Sequence, residues 1–410
     1  MNTYLKNKRF IPLILIFCSN IIFSANLEYN NHDSLNKNFF SISFIHKTYS
    51  NFLNLNSLIN LTLFQKFNTN DFKNIKLKEN NYFLSNNYTF LKFSLSKFPC
   101  INSNIKFEFG NYNFLFLNGN KNIAKFLLFG NKDFLGKKIY LNLLHYAYNF
   151  YYIKSNYECF LNVNDALIIN PSISLGLNIF NKYTNFYLYN SEIETDSLGT
   201  KIIFNLKGNY FAKPKNKSNN FGLISTMALN FYIKNLDLNI FLSAKDISLI
   251  FFNNKNFSQN IDTTIVYEGI NIKIDGNQII IPNPLNLDSI INIDKTSIKK
   301  TKINLLPFQL SLEIIKNFNK HLAGISIETY TKINQKLPFL NFIYGYDLNK
   351  TYSIYTEIGY SSISLLFSKV GIQYKSKKFD LFSQLIIPVN FIIGEQIYSI
   401  GIWIQCHWKI

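Results

Sequence analysis

Charge is scarce in this chain: 16% of its 410 residues are Asp, Glu, Lys or Arg, against about 25% in ordinary soluble domains. Arginine is nearly missing, and Arg9 is the single example. Glycine (16), proline (9), cysteine (4) and methionine (2) are also few. The shortage of Gly and Pro excludes a collagen-like chain, and four cysteines exclude a disulfide-dense scaffold. No heptads persist, so a coiled coil is excluded as well. After residue 25 there is no apolar run of about 18 residues, because Asn, Lys and Ser recur every few positions; a multi-helix membrane protein is therefore excluded. Catalytic signatures are missing too: the chain has no GxSxG elbow, no Walker loop and no HExxH. His32, His46, His145, His321 and His407 are dispersed without ligand spacing, which gives no reason to expect a metal. The expectation is a protein that is not an enzyme and carries no cofactor.

Apolar and aromatic side chains are what the chain does have. Hydrophobic residues make up 47% and aromatics 17%, with 41 Phe and 26 Tyr, far too many for disorder. The net charge of +18 first suggests nucleic acid. The basic residues are almost all Lys, however, and form no compact base-reading cluster. With abundant Asn, Ile, Phe and Tyr, the composition looks like that of an AT-biased genome, and no nucleic-acid partner is expected.

Residues 1–25 read as a secretory signal. Lys6, Lys8 and Arg9 form a basic stretch, and Ile11 to Phe23 is almost wholly apolar, too short and too early for a spanning helix. Ala25 is an acceptable residue before the cut. Export would leave Cys100, Cys159 and Cys406, whose spacing fits neither a metal site nor a disulfide framework.

The rest of the chain, 26–410, is dominated by a period of two. At the end of the chain Tyr398, Ile400, Ile402, Ile404, Cys406, Trp408 and Ile410 share one face, and Ser399, Gly401, Trp403, Gln405, His407 and Lys409 share the other. A dyad of this length exceeds the usual soluble strand of about 5 to 6 residues and suits a membrane-crossing strand. The aromatics at both ends of its apolar face match interfacial girdles. The same alternation runs through Leu91 to Leu95, Ile101 to Phe109, Leu340 to Asp347, Tyr352 to Tyr360 and Phe379 to Ile387. Turn chemistry separates the runs at Lys234–Asp237, Asp347–Lys350 and Lys375–Lys378. Outside the signal, helical periodicity is weak.

The fold class these features predict is all-β: a transmembrane antiparallel β-barrel. At about 25 to 28 residues per strand and loop, it should have roughly 14 strands, two more or fewer. The stretch near 253–303, rich in Asn and Asp, with Pro282 and Pro284, reads as a long loop or hairpin insertion.

Several stretches, taken in order, resemble a Bacteroidota family of exported outer-membrane β-barrels of unknown function, distantly similar to PorV/FadL-type barrels. Gly119-Asn120 and Gly130-Asn131, the latter preceded by Leu127 and Phe129, resemble an apolar run ending in Gly-Asn. Ile173 to Phe180, leading through Tyr187 to Leu198, follows a strand–loop–strand order. Leu238 to Phe252, LNIFLSAKDISLIFF, is similar to a strand pattern that Asp246 and Ile250 match; Ser248 stands where that pattern has glycine and Phe252 where it has Trp. Val266 to Ile270 resembles the continuation of that pattern, and Leu337-Pro338 after Tyr330-Thr331 resembles a later strand opening. The resemblance implies location and architecture, and nothing about cargo.

Two functions follow as expectations. The first is a porin-like or apolar-solute transport channel of the bacterial outer membrane. Its lumen-facing candidates are Lys92, Lys106, Glu108, Glu357, Asp380, Gln405, His407 and Lys409. Lys369, Lys378 and Glu328 add to a slight basic excess, so a conducting lumen should mildly prefer anions. The second is a structural or interaction barrel of the envelope, serving surface assembly or type IX secretion. Partners on either reading are outer-membrane lipid and the barrel-assembly machinery, with other envelope proteins joining them in the second.

Overall fold

The computed structural model describes residues 38–52, 77–96, 103–129, 132–212, 220–252, 257–267, 273–275, 278–280, 302–333, 338–363, 365–387 and 399–409. The signal at 1–25 and most of 268–301 lie outside the described residues. In chain order the strands begin with β1 (Phe39–Ser50), β2 (Asn80–Ser96) and β3 (Ser103–Asn120). Helix α1 (Lys121–Phe129) precedes β4 (Lys138–Cys159), β5 (Leu161–Asn164), β6 (Leu167–Thr195) and β7 (Ile202–Ala212). Then come β8 (Asn220–Ile233), β9 (Leu238–Phe252), β10 (Phe257–Tyr267) and the small hairpin β11 (Lys273–Asp275) and β12 (Gln278–Ile280). The chain continues with β13 (Lys302–Leu305), β14 (Gln309–Phe318), β15 (His321–Tyr330), β16 (Phe339–Asp347) and β17 (Tyr352–Ser361). It ends with β18 (Leu365–Lys375), β19 (Phe379–Ile387) and β20 (Ser399–Lys409).

Antiparallel pairing runs β1-β2-β3-β4-β6-β8-β9-β14-β15-β16-β17-β18-β19-β20 and returns to β1, from Phe39↔Lys409 to Tyr49↔Ser399. The ladder therefore closes into a barrel of 14 strands, within the range expected from the sequence. Closure leaves no unpaired edge in the ring, the condition a sheet must meet to cross lipid. No described helix is long and apolar enough to cross a membrane.

Alternation decides which side chains meet lipid. Every strand of the ring presents a large apolar residue outward, among them Phe44, Phe93, Phe109, Ile153, Leu177, Leu223, Leu242, Ile327, Phe342, Ile358, Ile372 and Leu385. Phe342 is 69% exposed and Leu177 59%, values a soluble protein would not sustain as a continuous band. On β20, Ile402 and Ile404 face out, while Trp403 and Gln405 are buried inside.

The two ends of the barrel differ. At one end the joins are short: the Lys234–Leu236 turn closed by Asp237, Asn319-Lys320, 348–351 and 376–378. These include the three turns expected from the sequence. The opposite, loop end carries the elaborations. There β4 and β6 run past the rim, β7 pairs with the overhanging part of β6, and β10 pairs with β7. Helix α1 packs on this projecting sheet. Asn120 caps it by accepting a hydrogen bond from the Ile123 N–H at 3.1 Å, and Ile123 and Phe126 join Leu141, Leu188, Ile193 and Ile261 in a small core. Sequence periodicity missed this helix because it is only nine residues long. Strand β10 occupies part of the stretch expected to be loop or hairpin; β11 and β12 pair as a short hairpin within it.

Candidate functional site

Inward-facing polar residues build a cavity of about 230 Å3 in the part of the lumen nearer the short turns. Its wall mixes charges (Lys47, Lys92, Lys154, Lys245, Glu108, Glu158, Asp246, Glu328) with rings (Tyr88, Phe90, Tyr152, Phe241, Tyr330, Trp403). Lys154 Nζ lies 3.1 Å from Glu108 and 3.6 Å from Asp246. The Tyr152 hydroxyl donates to Glu108 at 2.7 Å, and that of Tyr88 to Asp246 at 2.9 Å. Lys106 pairs with Glu158 at 2.7 Å. On the far wall Lys369 pairs with Glu357, which also accepts from Gln384 at 2.9 Å, and Gln309 donates to Glu328 at 2.8 Å. Charges withdrawn from water need such partners, since an isolated one would be costly.

Asp246 reaches the cavity through a bulge. Lys245 and Asp246 together oppose Thr226, between the pairs Met227↔Ala244 and Ser225↔Ile247. Asp246 sits at φ 60°, a left-handed conformation that Asp tolerates better than most residues. Its N–H donates to Thr226 Oγ1 at 3.3 Å. Plain alternation would send one of two successive residues into lipid; the extra residue points both into the lumen.

Above the cavity, toward the loop end, the lumen is filled. Tyr49, Leu84, Tyr112, Phe114, Phe116, Tyr148, Phe150, Phe180, Tyr183, Phe252, Leu306 and Phe367 form one buried cluster inside the barrel. Phe114 and Tyr148 stack with centroids 4.8 Å apart, and Tyr88 stacks on Tyr112 at 4.2 Å. Contacts cross the lumen. Phe114 of β3 meets Tyr330 of β15 at 5.9 Å, and Asn86 of β2 donates to the Tyr330 hydroxyl at 3.1 Å, from the opposite side of the ring. Side chains thus close the barrel at this level.

The residues singled out from the sequence fall into four groups. Lys92 and Glu108 line the cavity, and Lys106 is beside it on Glu158. Glu357 is on the far wall with Lys369. Asp380, His407 and Lys409 stand near the short turns, where Lys409 pairs with Asp380 at 2.6 Å and His407 stacks on Phe39 at 3.9 Å. Gln405 is buried in the wall, opposite Ser43 and Phe382.

Among the described residues the basic excess is not there. Lys378 is exposed on a turn, and Lys47, Lys154 and Lys245 join the lumen together with Glu158, Asp246 and Glu313. The inward lysines Lys47, Lys92, Lys106, Lys154, Lys245, Lys369 and Lys409 are matched one for one by Glu108, Glu158, Asp246, Glu313, Glu328, Glu357 and Asp380. The expected anion preference loses its basis. Among the described residues no group of His, Cys, Asp and Glu could hold a metal.

A second hollow, about 820 Å3, lies on the lipid side between β6, β8, β9 and β14. Ile173, Met227, Leu229, Leu242 and Leu310 line it, and small residues floor it; Ser172 and Ala228 border both hollows.

No family model and no curated protein matches the sequence. Among solved structures, the chain is similar to a TodX deltaS2S3 mutant monoaromatic hydrocarbon channel (TM-score 0.42, 8% identity, covering 95% of this chain and 97% of that one). It is also similar to the Ralstonia pickettii toluene transporter TbuX (0.38, 11%, 91% and 89%) and to the P. putida toluene transporter TodX (0.36, 10%, 93% and 93%). The closed strand ladder establishes the barrel, independently of these low likenesses.

Proposed function

We propose that this chain is an outer-membrane channel for small apolar solutes, with no catalytic role. The observation that carries this reading is the ring-filled loop-end interior. A general porin keeps a polar, water-filled lumen; here the path from the loop end passes through Phe114, Phe116, Tyr148 and Phe150, side chains that favour an apolar solute over an ion. The outer apolar band and the export signal read from residues 1–25 support the outer membrane as its location. Membership of the Bacteroidota family of outer-membrane barrels of unknown function, distantly similar to PorV/FadL-type barrels, belongs to the same proposal, supported by the order of the motifs along the chain.

One feature favours the second reading, an envelope interaction barrel: the projecting sheet exposes Tyr140, Tyr187, Tyr189 and, at its tip, Leu198. Proteoliposomes separate the two. A channel for apolar solutes should speed uptake of a benzene-sized aromatic probe while arabinose swelling stays at the protein-free rate. Rapid sugar entry would make it a general porin. No effect on either solute, with envelope proteins co-purifying, would favour the interaction reading.

A further inference from the structure

The hollow on the lipid side owes its shape to the bulge that brings Asp246 into the lumen. Along β9, Leu242 and Ala244 face out, and then Lys245 and Asp246 both turn in to the cavity. Between Leu242 and Ile247 the strand therefore shows lipid nothing larger than the Ala244 methyl group. Across the ladder the same row runs Met227, Ala244, Leu310 and Thr329. Two long side chains flank a small one, and the outer wall is dented there by about 820 Å3.

Strand β14 leads from the dent to one end of the barrel. Its outward residues are Leu310, Leu312, Ile314, Lys316 and Phe318, in that order toward the short turns. From Leu310 to Lys316 is about 20 Å along the strand, or about 15 Å across the membrane at a tilt near 40°. That is half of the roughly 30 Å hydrocarbon core. The dent thus lies near the bilayer middle, and Lys316 at the edge of one leaflet.

Lys316 is the one charge in this row. Its Nζ lies over the Phe318 ring at 4.9 Å, and among the described residues no carboxylate pairs with it. Asp237, beside Leu238 across the ladder, is held by neutral donors instead: the Tyr232 hydroxyl at 3.1 Å and the Asn317 amide at 3.0 Å. The turn after β14 adds the exposed Lys320.

We infer that this face holds one anionic glycerophospholipid of the leaflet on the short-turn side. Its phosphate diester sits on Lys316 and Lys320, and one acyl chain lies along β14 with its end in the dent. Charge and depth both support the assignment. A lysine at the hydrocarbon edge lays its stem on apolar neighbours and keeps its ammonium at headgroup level, where lipid phosphate is the anion at hand. The span from ammonium to dent is that of one chain in one leaflet. A small apolar solute would need no lysine, and a free phosphate would need no dent.

Native mass spectrometry of the full-length protein released from detergent micelles tests this, with phosphatidylglycerol and phosphatidylcholine of equal chain length as probes. Every variant is first shown to migrate as a heat-modifiable barrel. One phosphatidylglycerol should be retained, at least tenfold more tightly than phosphatidylcholine. Lys316→Gln with Lys320→Gln should erase that preference, and Lys316→Arg with Lys320→Arg should keep it. Ala244→Phe, which fills the dent, should weaken both lipids at least tenfold; Thr329→Phe serves if that barrel does not form. Excess glycerol 3-phosphate should leave the lipid bound. Equal retention of the two lipids overturns the inference, as does a preference that survives the double Gln variant. Unchanged binding in a folded dent-filling variant overturns the place given to the chain. Displacement by glycerol 3-phosphate would show a surface anion site in place of a lipid site.

Discussion

Replacing Lys154 by Met tests whether the lumen cavity is desolvated. Lys154 stands between two carboxylates, at 3.1 Å from Glu108 and 3.6 Å from Asp246, and the three side chains are only 11%, 14% and 12% exposed. At an effective dielectric of about 20, each contact is worth about 5 kcal/mol of attraction. Withdrawing the three ions from water costs several kcal/mol apiece, so the net value of the triad is small. Removing only the lysine is a different matter. Two carboxylates then remain in one site, held by the Tyr152 and Tyr88 hydroxyls, and the expected loss is about 3 to 5 kcal/mol. Neutralising all three positions with Lys154→Met, Glu108→Gln and Asp246→Asn should bring stability back to within about 1 kcal/mol of the unsubstituted protein. Urea unfolding in liposomes, followed by tryptophan fluorescence, measures both. A loss under about 1 kcal/mol for Lys154→Met alone would refute the reasoning, since it would mean that bulk-like water already screens the cavity.

Three further outcomes follow from the register, a close approach and a turn. Ile402 faces lipid near the middle of β20, so Ile402→Lys should cost about 2 to 4 kcal/mol, while Gln405→Ala on the opposite face should stay within about 1; equal losses in liposome unfolding would show the register to be inverted. A Cβ at Gly176 would lie 2.1 Å from the Ile153 carbonyl oxygen, closer than any backbone tolerates, so Gly176→Val should yield a chain without heat-modifiable migration, and normal migration would contradict the close β4–β6 approach. Beyond the rim, the Lys201 N–H and the Thr200 hydroxyl hold the Asp196 carboxyl below the usual range. A depressed folded value means that the turn's stabilisation is complete above the unfolded Asp value of about 3.9 and lost as pH falls through the lower folded one. Protease nicking at Leu198 should therefore rise only at strongly acidic pH, and Asp196→Ala should remove that dependence.

The barrel was legible because lipid and lumen impose opposite chemistry on alternate residues. Where that rule holds cleanly, as in Tyr352 to Tyr360 or the final strand, the side facing lipid could be read directly. It fails where the interior is apolar. In β4 Tyr146, Tyr148, Phe150 and Tyr152 share one face and Ala147, Asn149 and Tyr151 the other, so plain alternation sends the aromatic face to lipid, whereas Tyr148 and Phe150 are buried inside the barrel. The cavity charges were half hidden for a related reason. Lys154 and Glu158 lie in the same aromatic-rich strand, and Asp246 enters only through a bulge that shifts the period by one. Counting charges from the clean strands alone therefore gave a basic lumen, while the described interior is balanced.

The pairing of β1 with β20 has a consequence for how the molecule forms. The strands that seal the ring are the first and last of the described chain, so the contact with the greatest loop-closure cost is also the one that completes the structure. Until β20 is made and delivered, every earlier intermediate is an open sheet with two sticky borders, ready to pair with another molecule. Assembly should be slow and all-or-none. A chain cut before Ser399 should accumulate as aggregate, because no thirteen-strand ring can form without a new pairing between β19 and β1.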